Sequence, residues 1–280
     1  MKAAQFDYIR ATSVRHAIDA LRAHPGQAKL MAGGQSLGPM LNLRLARPAV
    51  VIDISGIEAL RAVERDGDTI CVGAAVTHAQ IEDGVHDALR GSPLQQVAAG
   101  IAYRAVRNRG TVGGSLAHAD PAADWVVVMA ALGARVELAG VDGVRVVDAD
   151  ALMQGAYTTA VQDDELIQGV RVPAAGAQSR WGYYKFCRKT GEFAEASCAA
   201  WFDPGSGQAR IALGALDGPP RLLPALAVRV AQNGAAAVDA ATIAQEVAAV
   251  MPDRDESHRQ LHAAAVARCL AQVTGEGRRQ

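Results

Sequence analysis

The sequence predicts a mixed α/β first half followed by an antiparallel α+β remainder. Up to about residue 173, short apolar β runs alternate with segments of helical periodicity, the pattern of α/β units. Between residues 180 and 216 three strand-like runs follow one another, separated only by TGEF and the tight DPGSG, which is the signature of an antiparallel meander. A chain of 280 residues also exceeds the usual size of a single core, so two domains, or one domain with an appendage, are expected.

Taken in order, Ser13 opens an amphipathic helix reaching about His24, AKLMA reads as a buried strand, and VVIDIS, Val50 to Ser55, as another. TICVGAAV is strand-like, Thr77 is placed as a helix N-cap, and PLQQVAAGIAYRAVRN repeats apolar residues at helical spacing. RGTVGGSLAHADPAADW reads as a glycine-rich loop leading into a helix that begins near Pro121, with Asp120 as its N-cap. ARVELAG and VRVVDA flank the turn signal Val141-Asp142-Gly143 and predict a hairpin, and ELIQGVRVP a closing strand. Ala174 to Ser179 lacks any pattern and marks the boundary between units 1–175 and 176–280. The strands WGYYKFCRK, EASCAAWFD and QARIALGAL form the meander; from Pro224 the chain is alanine-rich and helical until GEGRRQ, read as a frayed tail.

Composition excludes several functions. Lys+Arg 28 against Asp+Glu 29 leaves a formal charge of −1, without the basic excess of a nucleic-acid footprint. The longest apolar run, Trp125 to Leu132, is far short of the roughly 20 residues that span a bilayer. The N-terminus carries Gln5, Asp7 and Arg10 where a signal peptide would be apolar, which points to a cytoplasmic protein. Cys71, Cys187, Cys198 and Cys269 form no close pair of the kind that holds zinc, an iron–sulfur cluster or a redox disulfide. Electron transfer by this chain therefore needs an organic cofactor or another subunit.

Two stretches carry the chemistry. AGGQS, residues 32–36, and TVGGS, residues 111–115, each join adjacent glycines to a hydroxyl side chain. Without Cβ atoms, successive backbone N–H groups can converge on an anion, so such loops make nests for phosphate oxygens, and two of them can clasp a pyrophosphate. Either loop alone is equally well explained as a tight turn. Gly33 and Gly38 have the spacing of a P-loop, but Pro39 stands where its lysine belongs, and the G-x-G-x-x-G fingerprint is absent. His118 and Asp120 have an H-x-D spacing but no further ligand nearby, so helix capping or a cofactor contact ranks above a metal. Asp124 falls in a first helical turn, where its carboxylate suits either sugar hydroxyls or the helix N-terminus itself. Arg104, Arg107 and Arg109 precede the second loop and read as a solvent or subunit surface, with Arg109 nearest to a bound phosphate.

AGGQSLGPMLNLRLARPAVVIDISGI, VRNRGTVGGSLAHADPAADW and ELIQGVRVP, in this order and spacing, resemble the FAD-binding medium subunit of the molybdenum hydroxylases, the family of carbon monoxide dehydrogenase and bacterial xanthine dehydrogenase-like enzymes. The resemblance covers essentially the whole chain. It implies a vanillyl-alcohol-oxidase-type FAD-binding domain of two α/β subdomains, about 1–56 and 57–175, followed by a C-terminal three-stranded antiparallel sheet with helices. It also implies roles for particular residues. Ala32, Gly33, Gly34, Gln35 and Ser36 match the first pyrophosphate loop, and Thr111, Val112, Gly113, Gly114 and Ser115 the second. Asp124 matches an acidic residue that contacts ribityl or ribose hydroxyls, Ile167 an apolar side chain against the isoalloxazine, and Lys185 a lysine close to the flavin. Lys185 is also one of only four lysines, and a cation near flavin N1 and O2 would stabilise the reduced anion; a solvated strand face is the alternative.

The resemblance further implies FAD on this chain, with molybdopterin cytosine dinucleotide on a large partner subunit and two 2Fe–2S clusters on a small one, in a dimer of heterotrimers. The cysteine-rich insertion of 4-hydroxybenzoyl-CoA reductase does not occur within these residues, and the one-chain fusion of animal xanthine oxidoreductase is not expected. The expected function is relay of electrons from partner clusters to an external acceptor, with substrate oxidised on the large subunit. A self-sufficient flavin oxidoreductase and a non-catalytic nucleotide-binding scaffold are the alternatives.

Overall fold

In the computed structural model, which describes residues 2–274, the N-terminal alternation builds a small parallel sheet. Its strands are β1 (Asp7–Arg10), β2 (Ala28–Met31) and β3 (Val50–Asp53), in the order β1-β3-β2. Helix α1 (Val14–Ala23) packs on it through Ala17, Ile18, Ala20 and Leu21, and Ser13 caps it by accepting from the His16 amide. The glycine stretch after β2 runs directly into α2 (Leu37–Asn42). Pro39 lies in the first turn of that helix, where no intrahelical N–H bond is forfeited.

Next come β4 (Val63–Asp66), β5 (Thr69–Gly73), α3 (His78–Glu82), α4 (Pro93–Ala99), α5 (Arg104–Arg107), α6 (Val112–His118) and α7 (Asp124–Leu132). After them lie β6 (Arg135–Gly140), β7 (Gly143–Asp148), α8 (Ala149–Leu152), the small pair β8 (Met153–Gly155) and β9 (Thr158–Thr159), and β10 (Leu166–Pro173). The larger strands form an antiparallel sheet of order β4-β5-β10-β6-β7, so the strand that closes this segment in sequence lies at the centre of its sheet. The third sheet holds β11 (Arg180–Phe186), β12 (Ala196–Asp203), β13 (Gln208–Gly214) and β14 (Arg221–Leu222), followed by α9 (Pro224–Asn233), α10 (Ala240–Val250) and α11 (Glu256–Val273).

All nine residues of α7 are buried, as a helix apolar on every side must be. It is wedged between the five-stranded sheet and one face of the last sheet, touching β10, β12 and β13. Strand β12 is buried on both faces: Ala199 and Trp201 join the core around α7, while Cys198, Ala200 and Phe202 join that beneath the C-terminal helices. This accounts for the near-continuous apolar run ASCAAWF, interrupted only by the buried Ser197, since a strand covered on both sides does not alternate.

The structure departs from the sequence reading at several points. The segment PLQQVAAGIAYRAVRN is two helices, broken at Gly100–Tyr103, with Ala102 left-handed at φ 43°. The carbonyls freed by the break are taken by side chains: Arg107 donates to Ile101 O and Ala102 O, and Lys185 to Gly100 O. Residues 112–115 are the first turn of α6 rather than a loop, because the Thr111 hydroxyl accepts from the Gly114 amide and nucleates the turn. The following helix begins at Asp124, not near Pro121; Asp120 instead accepts from the Ala122 amide in a local turn. The meander gains the short fourth strand β14, paired at Ala212 with Leu222. The tail GEGRRQ lies outside the described residues.

Candidate functional site

The two glycine stretches face one another although they are far apart in sequence. A Cβ added to Gly33 would stand 1.9 Å from Arg109 O and 2.9 Å from Gly110 Cα, so the first stretch lies backbone to backbone against the turn that precedes α6. On the same side, a Cβ on Gly114 would be 4.0 Å from that of Ala32. Gly113 is equally constrained from below, where its Cβ would meet that of Ala74 at 2.4 Å. Absence of a side chain at Gly33 and Gly113 is thus required by close approach.

The two stretches differ in what they offer a ligand. Among the described residues, the amides of Ala32 to Leu37 have no intramolecular acceptor; Gly34 is left-handed at φ 71°, and Gln35 Nε2 braces the turn on Gly33 O. Successive N–H groups held in this way form an anion nest. The corresponding donors expected of the second stretch are already bonded. Val112 N bonds Val76 O, Gly113 N bonds Ala74 O, Gly114 N bonds Thr111 Oγ1 and Ser115 N bonds Thr111 O. What α6 presents is the exposed, side-chain-free surface of Gly114, the Ser115 hydroxyl and its own N-terminal field. Arg109 is exposed, and its guanidinium has no partner among the described residues. Arg104 and Arg107, by contrast, are tied to Glu82 and Asp83, with bonds of 2.5 to 2.9 Å. They form a brace behind the second stretch.

Asp124 and Lys185, 61 residues apart, are brought together as a buried ion pair: Lys185 Nζ lies 2.8 Å from Asp124 Oδ1, and the side chains are 10% and 7% exposed. Lys185 is therefore neither a solvated strand residue nor an unattached cation. Tyr183, absent from the sequence reading, donates to the same Oδ1 at 2.6 Å. Ile167 sits at a bulge in β10 and belongs to the main core. His118 packs its ring on Tyr157, at 5.2 Å between centroids, and no group of three or more metal-ligating side chains occurs among the described residues.

His78 is a second site residue that no local sequence signal marks. Its ring lies under Gly110, its amide donates to Gly110 O, and its Nδ1 accepts from Trp125 Nε1 at 3.1 Å, which fixes the remaining ring proton on Nε2. Burial, with a smaller contribution from Arg107, lowers its pKa from 6.5 to about 4. The unfolded chain then binds a proton between these values that the folded chain refuses. The stability this residue contributes is full above pH 6.5 and is lost as pH falls toward 4, by about 3 kcal/mol in all. His78→Gln, which keeps an acceptor for Trp125, is expected to flatten that part of the profile; urea unfolding at pH 7 and pH 4 is the check, and equal slopes for both proteins would contradict it.

Residues 4–175 match the family model described as the FAD binding domain in molybdopterin dehydrogenase. The chain is 37% identical over 227 residues to the nicotine 6-hydroxylase medium subunit of Paenarthrobacter nicotinovorans, covering 80% of this chain and 79% of that one. It is 38% identical to the carbon monoxide dehydrogenase medium chain of Hydrogenophaga pseudoflava, over 70% of this chain and 68% of that one. Among solved structures, carbon monoxide dehydrogenase from Hydrogenophaga pseudoflava superposes with a TM-score of 0.89 at 30% identity, covering 98% of this chain and 99% of that one. Quinoline 2-oxidoreductase from Pseudomonas putida 86 superposes at 0.86 and 31% identity, covering 99% of each.

Proposed function

Because the chain belongs to the FAD-binding medium subunits of the molybdenum hydroxylases, we propose that it is the electron-relay subunit of a three-component oxidoreductase. It stands between the 2Fe–2S clusters of a small partner and an external acceptor, while substrate is oxidised at molybdopterin on a large partner. The division into a cofactor-binding unit, residues 1–175, and a C-terminal unit, residues 176–280, belongs to the same reading, as do a dimer of heterotrimers and a cytoplasmic location. No helix among the described residues is long and apolar enough to cross a membrane.

One observation carries the assignment: the run of open amides from Ala32 to Leu37 facing the side-chain-free surface of Gly114. A pyrophosphate fits that gap, with the amides donating to its oxygens in place of a P-loop lysine and Arg109 adding charge from the rim. Asp124 then accepts from a hydroxyl of the ribityl or ribose chain, and Lys185 keeps that carboxylate paired in its buried position. Bound FAD supplies reversible acceptance of two electrons, singly or together. The protein's part is to hold the cofactor and fix its polar contacts.

The test is the visible spectrum of the complex purified through a tag on this chain, with the masses of what accompanies it. Flavin and 2Fe–2S absorption with one larger and one smaller companion is expected. A chain that stays colourless and takes up no added FAD would overturn the assignment, and turnover of an organic substrate by the chain alone would replace the relay with a self-sufficient flavoenzyme.

A further inference from the structure

We propose that Tyr183 is a positioning residue of the cofactor site: with Lys185 it occupies Oδ1 of Asp124 and thereby aims Oδ2 at a hydroxyl of the bound cofactor. The inference rests on the FAD reading above. Its starting point is the period of β11, which puts Trp181, Tyr183 and Lys185 on one face of the strand. The last two reach the same oxygen, at 2.6 Å from the phenol and 2.8 Å from the ammonium. Oδ2 accepts from nothing among the described residues, and it is not among the buried polar atoms left without a partner. One oxygen is thus bonded within the protein and the other remains open to a ligand.

The phenol itself is firmly held. Tyr183 is 8% exposed, Trp181 stacks on it at 6.4 Å and 24°, and its amide donates to Gln272 Oε1 of α11 at 3.0 Å. Burial, and then the Asp124 charge, push its pKa well above the usual phenol range, so the hydroxyl stays a donor. Asp124 occupies the first position of α7, whose N-cap residue, Ala123, offers no side-chain oxygen. Among the described residues no backbone amide of α7 donates to the carboxylate, whose partners are Tyr183 and Lys185, so its orientation is set from β11. With the Tyr183 hydroxyl removed, Lys185 alone holds Oδ1 and the carboxylate can rotate.

The experiment is a double-mutant cycle on FAD affinity, measured by flavin fluorescence on deflavinated full-length protein with Tyr183→Phe, Asp124→Asn and both. Tyr183→Phe is expected to weaken FAD about tenfold, and to add nothing in the Asp124→Asn background. Additive losses would overturn the inference, as would a Tyr183→Phe protein that is less stable yet binds FAD normally. Should Tyr183→Phe alone fail to fold, the comparison of Asp124→Asn with the double variant still decides, because neither leaves an ionised carboxylate without its donor; a further loss in the double overturns the proposal. Failure of the underlying FAD reading looks different: wild type would bind no FAD, or Asp124→Asn would bind as tightly as wild type.

Discussion

Gly33→Ala is expected to weaken FAD binding by more than a hundredfold, a loss of about 3 kcal/mol, while the far-UV spectrum stays close to that of wild type. The new methyl would stand 1.9 Å from Arg109 O, 2.6 Å from Arg109 C and 2.9 Å from Gly110 Cα. All three are backbone atoms, with no flexible side chain able to swing aside. Relief requires the two jaws of the cleft to separate, which takes the open amides of Ala32 to Leu37 out of reach of whatever α6 faces. Gly38→Ala is the matched control, because a Cβ there meets nothing within 4 Å. Titration of both deflavinated variants with FAD gives the answer: near-normal binding by Gly33→Ala, or equal loss in both, would remove the first stretch from the cofactor site.

Lys185→Met is expected to cost about 3–5 kcal/mol of stability, since it leaves the Asp124 carboxylate buried without its counter-charge. Against a total stability of about 5–15 kcal/mol, that places the chain near its unfolding threshold. Adding Asp124→Asn to the same chain removes the unpaired charge and is expected to restore most of the lost stability without restoring FAD affinity. Urea unfolding midpoints for the single and double variants test the first statement, and FAD titration the second. A Lys185→Met protein within 1 kcal/mol of wild type would mean that the pair behaves like an exposed one.

The legibility of the site was uneven for identifiable reasons. Lys185 stands out in the sequence because lysine is scarce in this chain, yet nothing local names Asp124 as its partner. Tyr183, the second donor to Asp124, lies two residues before Lys185 and so shares its strand face, a relation the strand period makes visible. His78 sits one residue after the correctly placed Thr77 cap, and nothing local says that it will lie under Gly110 and accept from Trp125. The helix expected over residues 93–108 shows the opposite failure. Its periodicity is real, but Arg107 and Lys185 offer better partners to the carbonyls around Gly100 than a continued helix would.

What the sequence determined by itself was local: the strands and helices with clear period, the Ser13 and Thr77 caps, the meander, and the paired glycine motifs whose order and spacing mark the family. These features depend on neighbours a few residues away, which a sequence displays directly. The tertiary structure decided which glycine stretch keeps its amides free and which has them bonded, because Val76, Ala74 and Thr111 compete for the second set. It also decided that Asp124 and Lys185, 61 residues apart, share a buried charge with Tyr183 at their side. Hydrogen-bond saturation and charge burial depend on what the packed chain brings within about 3 Å, and no local pattern encodes that distance.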